Sequence, residues 1–250
     1  MPFARRLFNQ LTLAAAFGLL GCDARKPSTQ PVRSTEQGKL RFLALGDSYT
    51  IGQSVPESQR WPVQLAEALR AEGIDVGNVD IIARTGWRTD DLDAAITRTH
   101  PQGPYDLVSL LIGVNNQYQG RPLDQYRKEY PALLNRAIGL AGGKPEHVIV
   151  LSIPDYGATP FGQGSGDAAR IAAEIDKYNA IASAACGAAH VRFVDITPGS
   201  RRAAEDQSLV ADDGLHPSGK MYAEWVKVAL PEARAALGQS DAATTRPSVK

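Results

Sequence analysis

The sequence predicts one α/β domain of three layers, a parallel sheet of about five strands between two layers of helices. Three observations carry this. Short apolar runs recur along the chain at 40–45, 79–83, 107–112, 148–153 and 191–196, and three of the five are almost continuously apolar. Strands covered on both faces by helices have that composition. Helical patterns separate the runs, and alternation of strand and helix implies βαβ units with parallel strands. Finally, 250 residues with 43% apolar and 22% charged side chains suit a single large core.

The elements follow in chain order. The run at 40–45 (LRFLAL) is the first strand. Trp61, Leu65 and Leu69 then recur every four residues, a helix face that Gly73 closes. After the strands at 79–83 and 107–112, Tyr126, Tyr130, Leu134 and Ile138 repeat at the same interval before Gly142 and Gly143. Pro131 should kink that helix or mark its true start. Beyond the strand at 148–153, Asp167 is placed to cap a helix whose Ile171, Ile175 and Tyr178 line one face. The strand at 191–196 precedes a last helix, with Ser218 as its cap and Met221, Trp225 and Val228 facing inward. No repeat with a period of 20–50 residues is visible.

Composition removes several function classes. Lys+Arg and Asp+Glu balance at 27 each, which argues against a nucleic-acid binder. Two cysteines cannot make a disulfide scaffold or a four-thiolate zinc site, and no His/Cys/Asp cluster has metal-ligand spacing. No cofactor is expected: neither a P-loop nor G-x-G-x-x-G follows any strand. Residue 50 is Thr, so there is no G-x-S-x-G elbow either.

Ligands in such sheets bind beyond the C-terminal ends of the strands, so the loops there are the place to seek chemistry. Gly46-Asp47-Ser48 follows the first run, Arg84-Thr85-Gly86-Trp87 the second and Gly113-Val114-Asn115-Asn116 the third, while Asp213-Gly214-Leu215-His216 precedes the last helix. A serine hydroxyl needs a base to act as a nucleophile at neutral pH, and histidine, with an ordinary pKa of ~6.5, suits that task. Of the four histidines, His100 lies in a polar loop and His147 and His190 lie just before strands, at the opposite edge. Only His216 has an acid three residues earlier, close enough for Asp213 to fix its tautomer.

The set Ser48, Gly86, Asn115, Asp213 and His216 resembles the SGNH (GDSL) hydrolase superfamily, whose four blocks carry Ser, Gly, Asn and His in that chain order. The resemblance spans residues 41 to about 230 and implies a flavodoxin-like three-layer fold. It also implies a Ser48–His216–Asp213 triad acting on carboxylic esters, with the N–H groups of Ser48 and Gly86 and the Asn115 amide as oxyanion hole. One departure stands out: the aspartate usual after the family's asparagine is here Asn116. Asp47 is expected to orient the nucleophile loop and Asp212 to lie on the surface. Trp87, Tyr118, Tyr156 and Phe161 either line a substrate pocket or anchor loops, and the stretch 161–166 (FGQGSG) is long enough to move. The substrates implied are those of lipases, lysophospholipases and arylesterases. A carbohydrate O-deacetylase, or a non-catalytic binding module on the same fold, are the alternatives, and the expected state is a monomer.

The N-terminus reads as a leader. Arg5 and Arg6 precede an apolar run at 11–20, shorter than the ~20 residues that span a bilayer. It closes on Leu19-Leu20-Gly21-Cys22, which resembles the lipobox of bacterial lipoproteins. The expectation is a signal peptide over 1–21, lipid attachment at Cys22, a polar tether over 22–38, a folded domain over 39–238 and a frayed tail over 239–250. The protein would then sit on the non-cytoplasmic side of a bacterial membrane. Cys186 is left as a small buried residue.

Overall fold

A computed structural model of the chain describes residues 39–239. The leader, Cys22, the tether and all but the first residue of the tail lie outside the described residues.

The chain runs β1 (Leu40–Gly46), α1 (Ser48–Ile51), α2 (Trp61–Ala71), β2 (Val76–Ala83), α3 (Thr89–Thr99), β3 (Leu107–Leu111), α4 (Val114–Tyr118), α5 (Leu123–Leu140) and β4 (Val148–Leu151). It continues through α6 (Pro160–Gly164), α7 (Ala168–Ala189), β5 (Arg192–Val194), α8 (Thr197–Ser200) and α9 (Gly219–Ala236). The strands form one parallel sheet in the order β2-β1-β3-β4-β5. The helix α2 packs on α9 on one side, and α3, α5 and α7 pack against one another on the other. This is the expected three-layer fold. Central β3 and β4 are buried along their whole length, whereas edge strand β2 is half-exposed over its second half.

Register explains why distant loops meet. Gly46, the last residue of β1, pairs with Ala83 of β2 and with Leu111 of β3. The three strands therefore end level, and their following loops leave from one line at the point where strand order reverses. That crevice between β1 and β3 is where sheets of this topology bind ligands.

Most helix readings hold. Trp61, Leu65 and Leu69 are fully buried, and Gly73, with φ +84°, ends α2. Tyr126, Tyr130 and Leu134 are buried on α5, whereas Ile138 is half-buried against the core. Pro131 lies inside that helix, which begins at Leu123, so it is not the start. Its missing N–H costs one bond to the carbonyl of exposed Arg127, where water can replace the partner.

Three readings are corrected. Asp167 stands before α7, but its backbone (φ −108°, ψ 11°) leaves the extended region that capping requires, and its carboxylate pairs with Arg170 at 2.6 Å instead. Val228 is 50% exposed, because the inward stripe of α9 runs through Tyr222, Val226, Ala229 and Ala233. The strands expected at 148–153 and 191–196 end early, at Leu151 and Val194. Beyond them the Ser152 hydroxyl takes the N–H groups of Ile196 and Thr197, and the Asn179 amide brackets Ile153, in place of strand pairing. Ser218 caps α9 as expected, accepting from the Met221 N–H. Cys186 is free and fully buried, and burial pushes its thiol up to about 12.

Candidate active site

The first loop explains the tripeptide Gly-Asp-Ser. A side chain at Gly46 would lie 2.6 Å from the Leu111 carbonyl oxygen and closer still to Thr50, so only glycine fits between β1 and β3. The Asp47 side chain caps the short helix α1, its Oδ1 accepting from the Tyr49 N–H at 3.0 Å. It is fully buried, its Oδ2 has no hydrogen-bond partner among the described residues, and desolvation raises its carboxyl to about 7. Asp47 thus fixes the loop that carries Ser48. Ser48 is the first residue of α1 and is 5% exposed.

The second and third loops are fastened together. Gly86 adopts φ +82°, in the left-handed region that glycine enters without strain. The Asn115 amide donates to the Trp87 carbonyl at 3.0 Å, and Gln119 donates to the Gly86 carbonyl at 3.1 Å. An amide nitrogen carries two hydrogens, so Asn115 keeps one for a ligand. Buried Asn116 is a bracket for α3: it accepts from the Thr89 N–H at 3.1 Å and donates to the Thr89 hydroxyl at 2.8 Å.

The fourth loop brings Asp213 and His216 together. Imidazole Nδ1 lies 2.6 Å from Asp213 Oδ2, while Asp213 Oδ1 accepts the N–H groups of Leu215 and His216 at 2.9 Å each. Partial desolvation works to raise the Asp213 carboxyl. Bonds from the Ser54 hydroxyl, from these two N–H groups and from the imidazole outweigh it and hold the group well below the usual carboxylate range. An ionised Asp213 on Nδ1 selects the tautomer with Nε2 free to accept a proton. Asp212 is exposed, as expected.

Two contacts join this loop to the segment that carries Ser48. The Tyr49 ring, next to Ser48, lies 5.7 Å from the His216 ring, and the Ser54 hydroxyl donates to Asp213 Oδ2 at 2.6 Å. Sequence reasoning missed Ser54, Thr89 and the role of Asn116. For Ser54 the one available signal was a polar residue in the turn after the nucleophile. The remaining histidines lie elsewhere: His100 ends α3, and His147 and His190 precede β4 and β5 at the N-terminal edge of the sheet. Among the described residues no cluster of His, Cys, Asp and Glu could hold a metal ion.

Beside the site, Tyr118 at the end of α4 and Phe161 on α6 are 57% and 43% exposed, stacked around buried Tyr156 at ring distances of 5.9–6.5 Å. The Phe161 N–H donates to the Gly214 carbonyl at 2.9 Å, tying α6 to the Asp213–His216 loop. The 161–166 stretch is thus the rest of α6 followed by a turn at Ser165 and Gly166 ahead of α7, and Trp87 is half-buried.

The sequence model of the GDSL-like lipase/acylhydrolase family matches residues 44–224, from β1 into α9. The chain belongs to that family. A curated arylesterase of Vibrio mimicus is 28% identical over 127 residues, covering 50% of this chain and 61% of the relative's own length. TesA has the same fold, with a TM-score of 0.62 at 20% identity over 79% of this chain and 99% of its own. A lipolytic protein of the G-D-S-L family from Veillonella parvula gives 0.56 at 19% identity, over 76% and 96%. The acetylxylan esterase Axe2 of Geobacillus stearothermophilus, as a catalytic mutant, gives 0.61 at 17% identity, over 78% and 94%.

Proposed function

We propose that this GDSL-family hydrolase is a serine esterase acting on carboxylic esters. The observation that carries the reading is the Asp213–His216 pair at 2.6 Å, joined through Tyr49 and Ser54 to the segment that presents Ser48. In this reading His216 Nε2 takes the Ser48 proton as Oγ attacks the ester carbonyl. The N–H groups of Ser48 and Gly86 and the free amide hydrogen of Asn115 receive the oxyanion. His216 then gives its proton to the departing alcohol, leaving an acyl-enzyme. Water attacks that ester, His216 takes the water's proton and returns it to Ser48, and the carboxylic acid leaves. Asp213 stays ionised throughout and stabilises the imidazolium.

The arylesterase relative supports aryl esters as substrates. Exposed Tyr118 and Phe161 favour a second reading, O-deacetylation of a polysaccharide, because the C–H faces of sugar rings pack well on aromatic rings. A panel of p-nitrophenyl esters of rising chain length, run beside acetylated xylan, separates the two. Turnover should fall about 10⁴-fold or more in Ser48→Ala. Absence of turnover of every ester by folded wild type would sink the reading. We also propose lipid attachment at Cys22 and a place on the non-cytoplasmic side of a bacterial membrane, supported by the sequence LLGC at 19–22. Palmitate labelling should disappear in Cys22→Ala, and an unlabelled wild type rules it out.

A further inference from the structure

Ser54 stands in the turn after α1, outside every sequence motif, and it has an uncommon backbone. Its φ is +66°, in the left-handed region that residues other than glycine seldom enter. Conformations of that kind persist where surrounding contacts hold them and gather at functional sites. Here the contact is the hydroxyl, which donates to Asp213 Oδ2 at 2.6 Å, the same oxygen that faces His216 Nδ1 at 2.6 Å.

The Asp213 carboxylate has four donors among the described residues, and three belong to its own loop: the Leu215 N–H, the His216 N–H and the imidazole. Ser54 is the fourth and comes from 159 residues away. The preceding residue, Gln53, is hydrogen-bonded to Thr85, beside Gly86. Two consecutive side chains therefore brace the turn after the nucleophile against the loops on either side of the site.

We propose that Ser54 is a positioning residue: it holds Asp213 Oδ2 in the rotamer that meets His216 and sets the register between the Ser48 segment and the acid–base loop. This rests on the reading of Ser48, Asp213 and His216 as a triad. A donor on Oδ2 also withdraws charge from the oxygen that faces the imidazole. Without it the full charge of that oxygen would face the imidazole, and the pH dependence of turnover would change. Asp213 in turn acts on Tyr222 of α9, whose phenol burial keeps neutral.

The test compares Ser54→Ala and Ser54→Gly with wild type in kcat and KM for a p-nitrophenyl ester from pH 4 to 9, beside Ser48→Ala, Asp213→Asn and the double variant Ser54→Ala/Asp213→Asn. Glycine adopts the left-handed backbone freely, so that variant loses the hydroxyl without threatening the fold. Both Ser54 variants should lose about tenfold in kcat with KM within about twofold, and the acid limb of kcat/KM should move. In the Asp213→Asn background, Ser54→Ala should add little. Wild-type kcat and an unmoved acid limb in both Ser54 variants, with Ser48→Ala inactive, overturn the role of Ser54 and leave the esterase standing. Full activity in Ser48→Ala overturns the triad, and this proposal with it.

Discussion

Asn116 and Thr89 exchange two hydrogen bonds in the buried seam between α4 and the start of α3, Thr89 N–H to Asn116 Oδ1 at 3.1 Å and Asn116 Nδ2 to Thr89 Oγ1 at 2.8 Å. The Thr89 hydroxyl spends its own hydrogen on the Glu129 carboxylate of α5, and Gln125 donates to the other oxygen of Glu129. A hydroxyl has one hydrogen to give, so one carboxylate here is satisfied and two are not. An amide at 116 suits this seam, since Glu129 already takes the Thr89 hydroxyl hydrogen and Asn116 can donate to the same hydroxyl.

Asn116→Asp should therefore destabilise the protein by about 1–3 kcal/mol, from two carboxylates competing for one hydrogen in a buried setting. Adding Glu129→Gln should recover most of the loss, since the glutamine amide can donate where the glutamate accepted. Urea unfolding of both single variants and the double variant gives the coupling directly. Additive effects would show that the two side chains do not share Thr89.

Asn115 holds the Trp87 carbonyl with one amide hydrogen, and the oxyanion reading gives it the other. Asn115→Ala should lower kcat by about 10²–10³-fold while KM changes little, the pattern of a donor that acts in the transition state. Steady-state kinetics with a p-nitrophenyl ester decide it. A change confined to KM would reduce Asn115 to a brace for the Gly86 loop.

Asp47 makes stability depend on pH in the direction opposite to an ordinary salt-bridged acid. Burial lifts its carboxyl from 3.8 to about 7 in the folded protein, so between those values the folded state binds a proton that the unfolded state has released. Stability from this group is therefore complete below about pH 4 and is lost as pH rises to about 7, by up to roughly 4 kcal/mol. Relative to Asp47→Asn, wild type should weaken between pH 5 and pH 8 in urea unfolding. Parallel curves for the two proteins would mean that Asp47 does not titrate in this range.

The sheet was legible because buried parallel strands need continuous apolar runs, and 107–112 and 148–153 have little else. The first three motif loops were legible because each follows a strand, and level strand ends bring those three to one crevice. Short helices were not: α1 and α4 have too few residues to show a period, and α3 hides Leu92, Ala95 and Ile96 among threonines and acids. Val228 shows a different limit. Spacing from Trp225 permits it to face inward, but Ala229 takes the position against the sheet and turns Val228 to solvent. Ser54 was beyond reach because its partner is fixed by tertiary register, which local pattern does not encode.

The bond between Ser54 and Asp213 joins residues 159 apart in the chain, about four-fifths of the described domain. Contacts so distant in sequence form late, since the intervening chain must be ordered before they compensate for its lost freedom. The Asp213–His216 loop lies just before α9, so in a chain that emerges N-terminus first the crevice stays incomplete until α9 has followed and docked on α2. A nascent chain carries the serine early and gains its partner last, and recovery of turnover after dilution from denaturant would mark the end of folding.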